Sequence, residues 1–265
     1  MSSSLALLSG KGIDKRFGGV RALSQVSFTI NHGEIYGLIG PNGAGKTSLF
    51  NVLTGIYTPD GGEFLFDGLP LTGLKPHEVA ARGIARTFQN IRLFANLSAL
   101  ENVMIGRHVR THGGVWGAVS RNASTRAEEK AIEKRAYELL EYVGVAKRAN
   151  ALAKHLAYGD QRRLEIARAL ATEPKLLALD EPAAGMNATE TASLKRLLDD
   201  IRHDGTTILL IEHDMKLVMS VCDRVLVLDY GKKIAEGPAA EVQADPTVIA
   251  AYLGGEVTLN VAESA

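Results

Sequence analysis

The sequence predicts an α/β protein with a largely parallel sheet and a helical segment inserted into it. From Lys175 onward, short apolar runs alternate with helix-like segments, and the runs lack the polar alternation of half-exposed strands. Strands of that kind, separated by helices, are typical of a parallel sheet covered on both faces. Between residues 90 and 170 the pattern is instead helical. We therefore expect a helical insertion rather than a separate domain.

The N-terminal third is predicted to form strands around one helix. Ala22–Ile30 and Glu34–Ile39 have apolar strand patterns, and Glu63–Phe66 follows a turn at Pro59–Gly62. The helix is expected to start near Gly45, since an apolar helical pattern follows that glycine.

The rest of the chain divides by the same criteria. The segment from Ser124 to Tyr142 is the most strongly helical, because it holds many charges and neither Gly nor Pro. The predicted elements after residue 84 are a short apolar segment Ile84–Phe88, helices Leu97–Arg107, Ser124–Tyr142 and Lys147–Leu156 with a loop at Thr111–Asn122, strand Leu176–Leu179, helix Thr189–His203, strand Thr207–Ile211, a helix from Met215, strand Arg224–Leu228, and helix Pro246–Leu253 followed by a frayed tail.

Composition excludes several classes of protein. The 265 residues carry 30 basic and 30 acidic side chains, so no net charge favours nucleic acid or an anionic membrane surface. The one cysteine, Cys222, follows an apolar stretch and is predicted to be a buried, inert thiol. The first eight residues lack a basic region, and no segment holds the ~20 apolar residues of a membrane span. We expect a cytosolic chain that reaches a membrane only through partners.

A phosphate-binding loop is predicted at Gly40–Thr47. This segment, Gly-Pro-Asn-Gly-Ala-Gly-Lys-Thr, follows an apolar strand and opens an apolar helix. Glycines allow successive N–H groups to converge on phosphate oxygens, and the helix N-terminus adds partial positive charge. Lys46 is predicted to reach the β and γ phosphates, and the Thr47 hydroxyl to ligate Mg²⁺.

Two adjacent carboxylates end the apolar strand at 176–179. Strand alternation points Asp180 and Glu181 in different directions, so each can take a separate task. Asp180 suits the Mg²⁺ shell, and Glu181 suits a general base that polarises the attacking water. Alone this pattern is weak evidence, since a plain strand-end turn also fits it. Together with the phosphate loop it predicts nucleotide hydrolysis.

A third segment decides the family. Residues 156–170, Leu-Ala-Tyr-Gly-Asp-Gln-Arg-Arg-Leu-Glu-Ile-Ala-Arg-Ala-Leu, lie just before the Asp180 strand and resemble the signature segment of the ABC ATPases. That resemblance covers nearly the whole chain. It implies a P-loop NTPase core with an N-terminal antiparallel β subdomain, formed by 1–90 and 172–265, and a helical signature subdomain at 91–171.

The resemblance also implies roles for individual residues. The signature turn, Tyr158 and Gly159, would close over a γ-phosphate held by Lys46 of a second subunit packed head to tail. Phe17 resembles the aromatic residue that stacks on adenine, Gln89 the glutamine that touches Mg²⁺ or water, and His213 the histidine at the γ-phosphate. The implied nucleotide-binding set is Phe17, Asn42, Gly43, Ala44, Gly45, Lys46, Thr47, Ser48, Gln89, Tyr158 and Gly159; the implied catalytic set is Lys46, Glu181 and His213, and the Mg²⁺ set is Thr47, Gln89 and Asp180.

The signature departs from the commonest family form, Leu-Ser-Gly-Gly-Gln. Ala157 replaces a serine, Tyr158 a glycine and Asp160 a glutamine, so a serine-based contact does not carry over. A carboxylate repels phosphate, and Asp160 is expected to point away from the nucleotide. Asn187 stands where an aspartate is more usual, which puts its inter-subunit hydrogen bond in doubt.

Within the family the sequence resembles the larger ATPase of bacterial high-affinity branched-chain amino-acid importers. The segments that carry this likeness are 16–23, 89–94, 157–161, 182–187, 211–215 and 250–254. The resemblance implies ATP and Mg²⁺ as cofactors, and as partners a second ATPase subunit, two transmembrane permeases and, indirectly, an extracytoplasmic solute-binding protein. It places the chain at the cytoplasmic face of the inner membrane. Ile91–Leu97 is the expected permease-contacting surface.

Three other functions share part of this pattern. An ABC exporter ATPase for lipid or lipopolysaccharide would share all these motifs. A soluble ABC ATPase acting on DNA or ribosomes would carry coiled-coil inserts, tandem domains or basic arms, none of which the sequence has. A P-loop kinase or GTPase would not need the signature helix, and the Asn-Lys-x-Asp guanine-binding motif is absent.

Overall fold

The computed structural model describes residues 6–107 and 123–257, which form two sheets and the helices packed on them. The predicted loop at Thr111–Asn122, residues 1–5 and the end of the predicted frayed tail lie outside these ranges. The strands are β1 (Ala6–Phe17), β2 (Val20–Asn31), β3 (Ile35–Ile39), β4 (Gly61–Phe66), β5 (Leu69–Pro70), β6 (Ile84–Arg86), β7 (Leu176–Asp180), β8 (Thr207–Ile211), β9 (Arg224–Asp229) and β10 (Lys232–Pro238).

Helices occupy more than half of the described residues that lie outside the strands. The last of them runs four residues past the predicted Leu253 end, so residues 254–257 are helical rather than frayed. The α-helices are α1 (Lys46–Leu53), α2 (Pro76–Ala81), α3 (Ala99–Arg107), α4 (Ala123–Tyr142), α5 (Tyr158–Leu170), α6 (Ala188–His203), α7 (Met215–Val221), α8 (Ala239–Ala244) and α9 (Pro246–Val257).

The larger sheet has the order β10-β9-β3-β8-β7-β6. Its five strands from β9 to β6 pair in parallel, and β10 pairs antiparallel with β9. The smaller sheet, β2-β1-β4-β5, is antiparallel throughout. The predicted fold class, a largely parallel core with an N-terminal antiparallel part, is therefore confirmed. Strands β3, β7 and β8 are buried at every residue, which explains their uninterrupted apolar sequences.

Helix α1 lies in the core between the two sheets. Four of its side chains, among them Leu49 and Phe50, belong to one apolar cluster with residues of both sheets. In the same cluster Phe28 of β2 makes an edge-to-face contact with Phe64 of β4, with ring centroids 6.3 Å apart. The opposite face of the larger sheet packs against the helices that follow β6. Cys222 is buried in that second cluster, as predicted.

One predicted helix is wrong. Residues 147–156 form two short 3₁₀ turns, Ala146–Arg148 and Ala153–His155, instead of an α-helix. The backbone of this stretch is used by the start of α3, because the Ala99 and Leu100 N–H groups donate to the carbonyls of Ala151 and Ala149. These bonds satisfy two of the N–H groups that a helix start leaves without partners.

Several elements were not predicted. Strand β1 was missed because bulges shift its register, between Gly10 and Ile13 among other places, and break the two-residue apolar period. Strand β10 is only partly buried at its centre and shows little apolar pattern. Among the helices of the described ranges, none is long and apolar enough to cross a bilayer.

The contact between α3 and α5 depends on Gly106. A Cβ atom at this position would lie 2.3 Å from the Arg168 carbonyl oxygen and 3.1 Å from the Ala171 Cβ. Gly106→Ala should therefore force the two helices apart and lower the free energy of unfolding by about 1–3 kcal/mol. Denaturant titration would measure it.

The matched control is Gly19→Ala, because a Cβ at Gly19 has no neighbour within 4 Å. We expect that change to stay within about 0.5 kcal/mol of the parent. Equal stability of the Gly106→Ala variant and the parent would contradict the packing argument.

Candidate functional site

The phosphate loop connects β3 to α1, and its glycines are required by packing and conformation. A Cβ at Gly40 would lie 2.1 Å from the Leu228 carbonyl oxygen, and one at Gly45 would lie 2.6 Å from the Ala22 carbonyl oxygen. Gly43 has φ 78° with open space around it, so its glycine serves conformation rather than packing. The loop is held against β2 and the β9–β10 hairpin with its centre open.

Lys46 is the cation of this loop. Its Nζ donates to the carbonyls of Gly40 at 2.6 Å and Pro41 at 3.0 Å, and only 9% of the residue is exposed. Burial lowers the pKa of the Lys46 ammonium, and the nearby carboxylates of Glu181 and Asp180 act in the opposite direction. A buried ammonium beside open N–H groups is suited to hold phosphate oxygens.

The two carboxylates at the end of β7 occupy different environments. Asp180 is buried, and the Arg86 guanidinium lies 3.9 Å from its carboxylate. Burial raises the pKa of Asp180, and Arg86 partly offsets this. Glu181 is the first residue past the strand and has φ 48°, a left-handed conformation that a non-glycine residue adopts only at a cost of about 1–3 kcal/mol.

Gln89 and His213 meet Glu181 at its two carboxylate oxygens. The Gln89 Nε2 donates to Oε2 at 3.0 Å, and the His213 Nδ1 lies 3.7 Å from Oε1. The three residues follow β6, β7 and β8, whose carboxyl ends lie at one edge of the parallel sheet. Ligand sites of α/β proteins lie at this edge. Glu181 is thus held between an amide and an imidazole.

A cleft of about 430 Å³ joins the loop to Gln89 and Glu181, whereas His213 does not line it. Seven of the predicted loop residues line it, from Asn42 to Ser48, together with Gln89 and Glu181. The full lining is Val20, Arg21, Ala22, Asn42, Gly43, Ala44, Gly45, Lys46, Thr47, Ser48, Gln89, Glu181, Tyr230 and Gly231.

Sequence reasoning gave no role to Tyr230 and Gly231. They form the turn of the β9–β10 hairpin, with φ 43° and 75°, and the Tyr230 side chain is 86% exposed. The sequence contains a signal for this hairpin turn, because a Tyr-Gly pair comes shortly after the apolar strand at 224–228. Gly231 donates to the Ala44 carbonyl at 2.9 Å, which brings the hairpin turn to the cleft.

Phe17 does not line the cleft. It ends β1, three residues before Val20, and packs edge-to-face on Tyr57 with ring centroids 5.1 Å apart. The ring is 41% exposed. Its role in stacking on a base stays a prediction.

The signature turn lies away from the cleft of its own chain. Tyr158 and Gly159 open α5, and neither lines the cleft that holds Lys46. Tyr158 is 46% exposed and lies against Gly185, where an added Cβ would come within 3.3 Å of the tyrosine ring. A Cβ on Gly159 would lie 2.9 Å from the Glu190 carboxylate, so the signature turn lies close to the start of α6.

Asn187 has a local structural task. Its side-chain oxygen accepts from the N–H groups of Thr189 and Glu190, both at 3.0 Å, and the Glu190 carboxylate accepts from the Asn187 N–H at 2.9 Å. This capping box starts α6. The Asn-x-x-Glu spacing that signals it is visible in the sequence, although no cap was predicted from it.

The residues present fit a magnesium nucleotide. The loop with Lys46 offers N–H groups and a cation to phosphates, and Thr47 and Gln89 line the same cleft with side-chain oxygens of the kind that Mg²⁺ prefers. Asp180, the third predicted ligand, is buried and does not line the cleft. Within residues 6–107 and 123–257, no group of three His, Cys, Asp or Glu side chains could hold a metal by itself.

Comparison with known proteins identifies the family. Residues 23–184 match the family described as ABC transporter, and residues 232–258 match one described as branched-chain amino acid ATP-binding cassette transporter. The chain belongs to the ABC transporter family. It is therefore an ABC-type ATPase that binds and hydrolyses ATP.

Two relatives of the chain are ATP-binding proteins of different transport systems. The chain is 47% identical over 253 residues to the high-affinity branched-chain amino acid transport ATP-binding protein LivG of Salmonella typhimurium, covering 95% of this chain and 99% of that protein. It is 35% identical over 255 residues to the lipopolysaccharide export system ATP-binding protein LptB of Escherichia coli K12, covering 96% and 100%. The importer ATPase is thus the more similar of these two.

Solved ABC cassettes share the fold. An ATP-binding cassette of an ABC transporter in its ADP conformation matches with a TM-score of 0.82 and 32% identity, covering 94% of this chain and 99% of that one. A dimeric post-hydrolysis cassette bound to ADP and phosphate matches with a TM-score of 0.75 and 26% identity, covering 88% and 98%.

Replacing Lys46 with Ala tests the phosphate-holding role. Loss of a charge-assisted contact worth about 1.5–3 kcal/mol should weaken ATP binding by at least about tenfold. Isothermal titration of the full chain with ATP would measure it. Lys134→Ala is the control. The Lys134 side chain is 81% exposed on α4, so its replacement should leave the affinity for ATP unchanged. Equal ATP affinity in both variants would contradict the assignment.

Proposed function

We propose that this chain is the ATP-hydrolysing subunit of a membrane importer for branched-chain amino acids. The observation that carries the proposal is the 47% identity to an importer ATPase over 95% of the chain. The match of residues 232–258 to a branched-chain amino acid cassette family adds support from a separate segment. The substrate is chosen by partner proteins, so the cleft around Lys46 concerns ATP alone.

In the proposed mechanism Glu181 is the general base. Its carboxylate accepts a proton from the attacking water, while the amide of Gln89 donates a hydrogen bond to one of its oxygens and the imidazole of His213 lies 3.7 Å from the other. Lys46 holds the phosphates, and His213, 62% exposed at its side chain, contacts the γ-phosphate. Bound Mg²⁺, held by Thr47, Gln89 and Asp180, would neutralise phosphate charge. The left-handed backbone at Glu181 supports this assignment, because strain of this kind clusters at active sites.

The proposed active unit is a head-to-tail pair of ATPase subunits. Tyr158 and Gly159 lie outside the cleft of their own chain, which leaves them available to a neighbour's phosphates. The dimeric cassette with 26% identity supports such a pairing. We further propose two permease subunits and, through them, an extracytoplasmic solute-binding protein, with the chain at the cytoplasmic face of the inner membrane.

A groove of about 400 Å³ is the proposed permease-docking surface. It lies between α2, α3 and α5, and apolar side chains such as Ile56, Val79 and Phe88 line it. Phe94, from the predicted 91–97 surface, lines the same groove and is 49% exposed. Arg86, Glu165 and Arg168 line it as well. A mostly apolar, partly exposed groove beside Gln89 is suited to receive a helix of a membrane subunit.

The subdomain boundaries 1–90, 91–171 and 172–265 stay predictions.

Replacing Glu181 with Gln tests the general base. The amide cannot accept the water proton, so steady-state turnover should fall by about 10²–10⁴-fold while ATP affinity stays near the parent value. Phosphate release measures the first quantity and titration the second. Glu138→Gln on α4, at a side chain that is 42% exposed, is the control. Parent-level turnover in Glu181→Gln would remove Glu181 from the mechanism.

Co-purification from native membranes tests the importer proposal. The tagged chain should recover a second ATPase and two permeases of an amino-acid importer, as identified by mass spectrometry. Phe94→Glu should lose the permeases, because a carboxylate in the apolar groove opposes docking. Tyr137→Glu, at an aromatic residue of α4 that is 43% exposed, should keep them. Recovery of lipid-export components would favour the exporter, and recovery of no membrane protein would favour a non-transport ATPase.

A further inference from the structure

A buried ion pair on α5 has so far been given no role of its own, although Glu165 also lines the groove between α2, α3 and α5. Arg162 and Glu165 are one helical turn apart, with Nη1 3.3 Å from Oε2 and side chains only 3% and 1% exposed. Burial raises the pKa of Glu165, and the Arg162 charge acts against this rise. Neither residue contacts Lys46 or lines the cleft. The pair therefore needs an explanation other than direct contact with nucleotide.

Both side chains bind the backbone of the segment that carries Gln89. Arg162 donates from Nη1 to the Phe88 carbonyl at 2.7 Å and from Nη2 to the Gln89 carbonyl. The Glu165 Oε1 accepts from the N–H groups of Phe88 at 3.3 Å and Arg92 at 3.4 Å. Four backbone groups on both sides of the Gln89 side chain are thus fixed by two side chains of one helix.

The same guanidinium also reaches the signature turn. Arg162 Nη2 donates to the Tyr158 hydroxyl at 3.1 Å, and its charge lies 5.5 Å from the centre of that ring. Gln89 in turn donates to Glu181 at 3.0 Å. One side chain therefore connects the Gln89–Glu181 contact with Tyr158, the residue proposed to face the nucleotide of a second subunit.

Stability alone does not account for this arrangement. Buried ion pairs are often no more stabilising than apolar residues of the same volume, since both charges must leave water. Arg162 also leaves its Nε buried without a hydrogen-bond partner in the described part of the chain. Such pairs are better explained where they fix a particular geometry.

We infer that Arg162 and Glu165 are positioning residues that hold the Gln89 backbone and the signature turn in one fixed relation. In a head-to-tail pair, each chain then presents Gln89 to its own nucleotide and Tyr158 to its neighbour's as a single unit. The inference rests on the proposed role of Gln89 in turnover.

Hydrogen exchange of the full-length chain tests the positioning directly. Arg162→Gln should speed exchange of the Phe88 and Arg92 amides by at least about tenfold, because the clamp on this segment is released. Arg162→Lys should give an intermediate exchange rate, since one ammonium can replace only some of the hydrogen bonds that the planar guanidinium donates. The matched control is Arg163→Gln, at the adjacent arginine, which donates to the Val143 carbonyl at 3.2 Å and does not touch residues 88–92. Arg163→Gln should leave the exchange rates of the Phe88 and Arg92 amides within about twofold of the parent rates.

Turnover gives the second readout. Arg162→Gln should lower kcat by about tenfold or more while KM for ATP stays within about twofold, because positioning and not nucleotide binding is lost. Parent-like exchange in Arg162→Gln, or an equal loss of kcat in Arg163→Gln, would overturn the inference. If Arg162→Gln does not fold, parent-like exchange in Arg162→Lys would overturn it equally. Full turnover in Gln89→Ala would instead remove the proposed role of Gln89, and the catalytic half of the inference with it.

Discussion

The site depends on the burial of α1 between the two sheets. That helix places Lys46 in a buried position, and the loop before it packs directly on neighbouring carbonyls at Gly40 and Gly45. The phosphate loop is thus packed against the core at these two glycines, while Asn42, Gly43 and Thr47 are exposed towards the cleft. The open space around Gly43 and the exposed Thr47 lie in the part of the loop that lines the cleft.

The remaining groups reach the loop because parallel strands end at a common edge. Gln89, Glu181 and His213 come from three separate parts of the chain, yet each follows a strand of the same sheet. The sheet alone would not aim Glu181 between the other two. The left-handed backbone at this residue does so. Its conformational free-energy cost is offset by the packing of the buried strand before it and by the hydrogen bond that the Glu181 N–H donates to the Ile211 carbonyl at 2.9 Å.

The sequence was informative where one local rule acted alone. Buried parallel strands such as β7 and β8 have continuous apolar runs, and the phosphate loop has fixed spacing, so both were predicted. The β1 bulges and the 3₁₀ turns near Ala153 were not, because their backbone follows pairing with distant segments. The same limit applies to the site. Residue type pointed to Glu181, but the arrangement of Arg162 around the Gln89 peptide depends on tertiary contacts across more than 70 residues.

The departures of the signature from the common form are consistent with this network. Tyr158 stands where a glycine is usual, and its hydroxyl accepts from Arg162 while its ring lies against Gly185. A glycine could make neither contact. Asn187 likewise caps α6, whose Glu190 packs against Gly159. In this chain the signature turn is therefore fixed by side chains from its own helix and from the start of α6. The contribution proposed for it at a neighbour's nucleotide would then fall to backbone N–H groups and the exposed tyrosine, because Ala157 has no hydroxyl to offer.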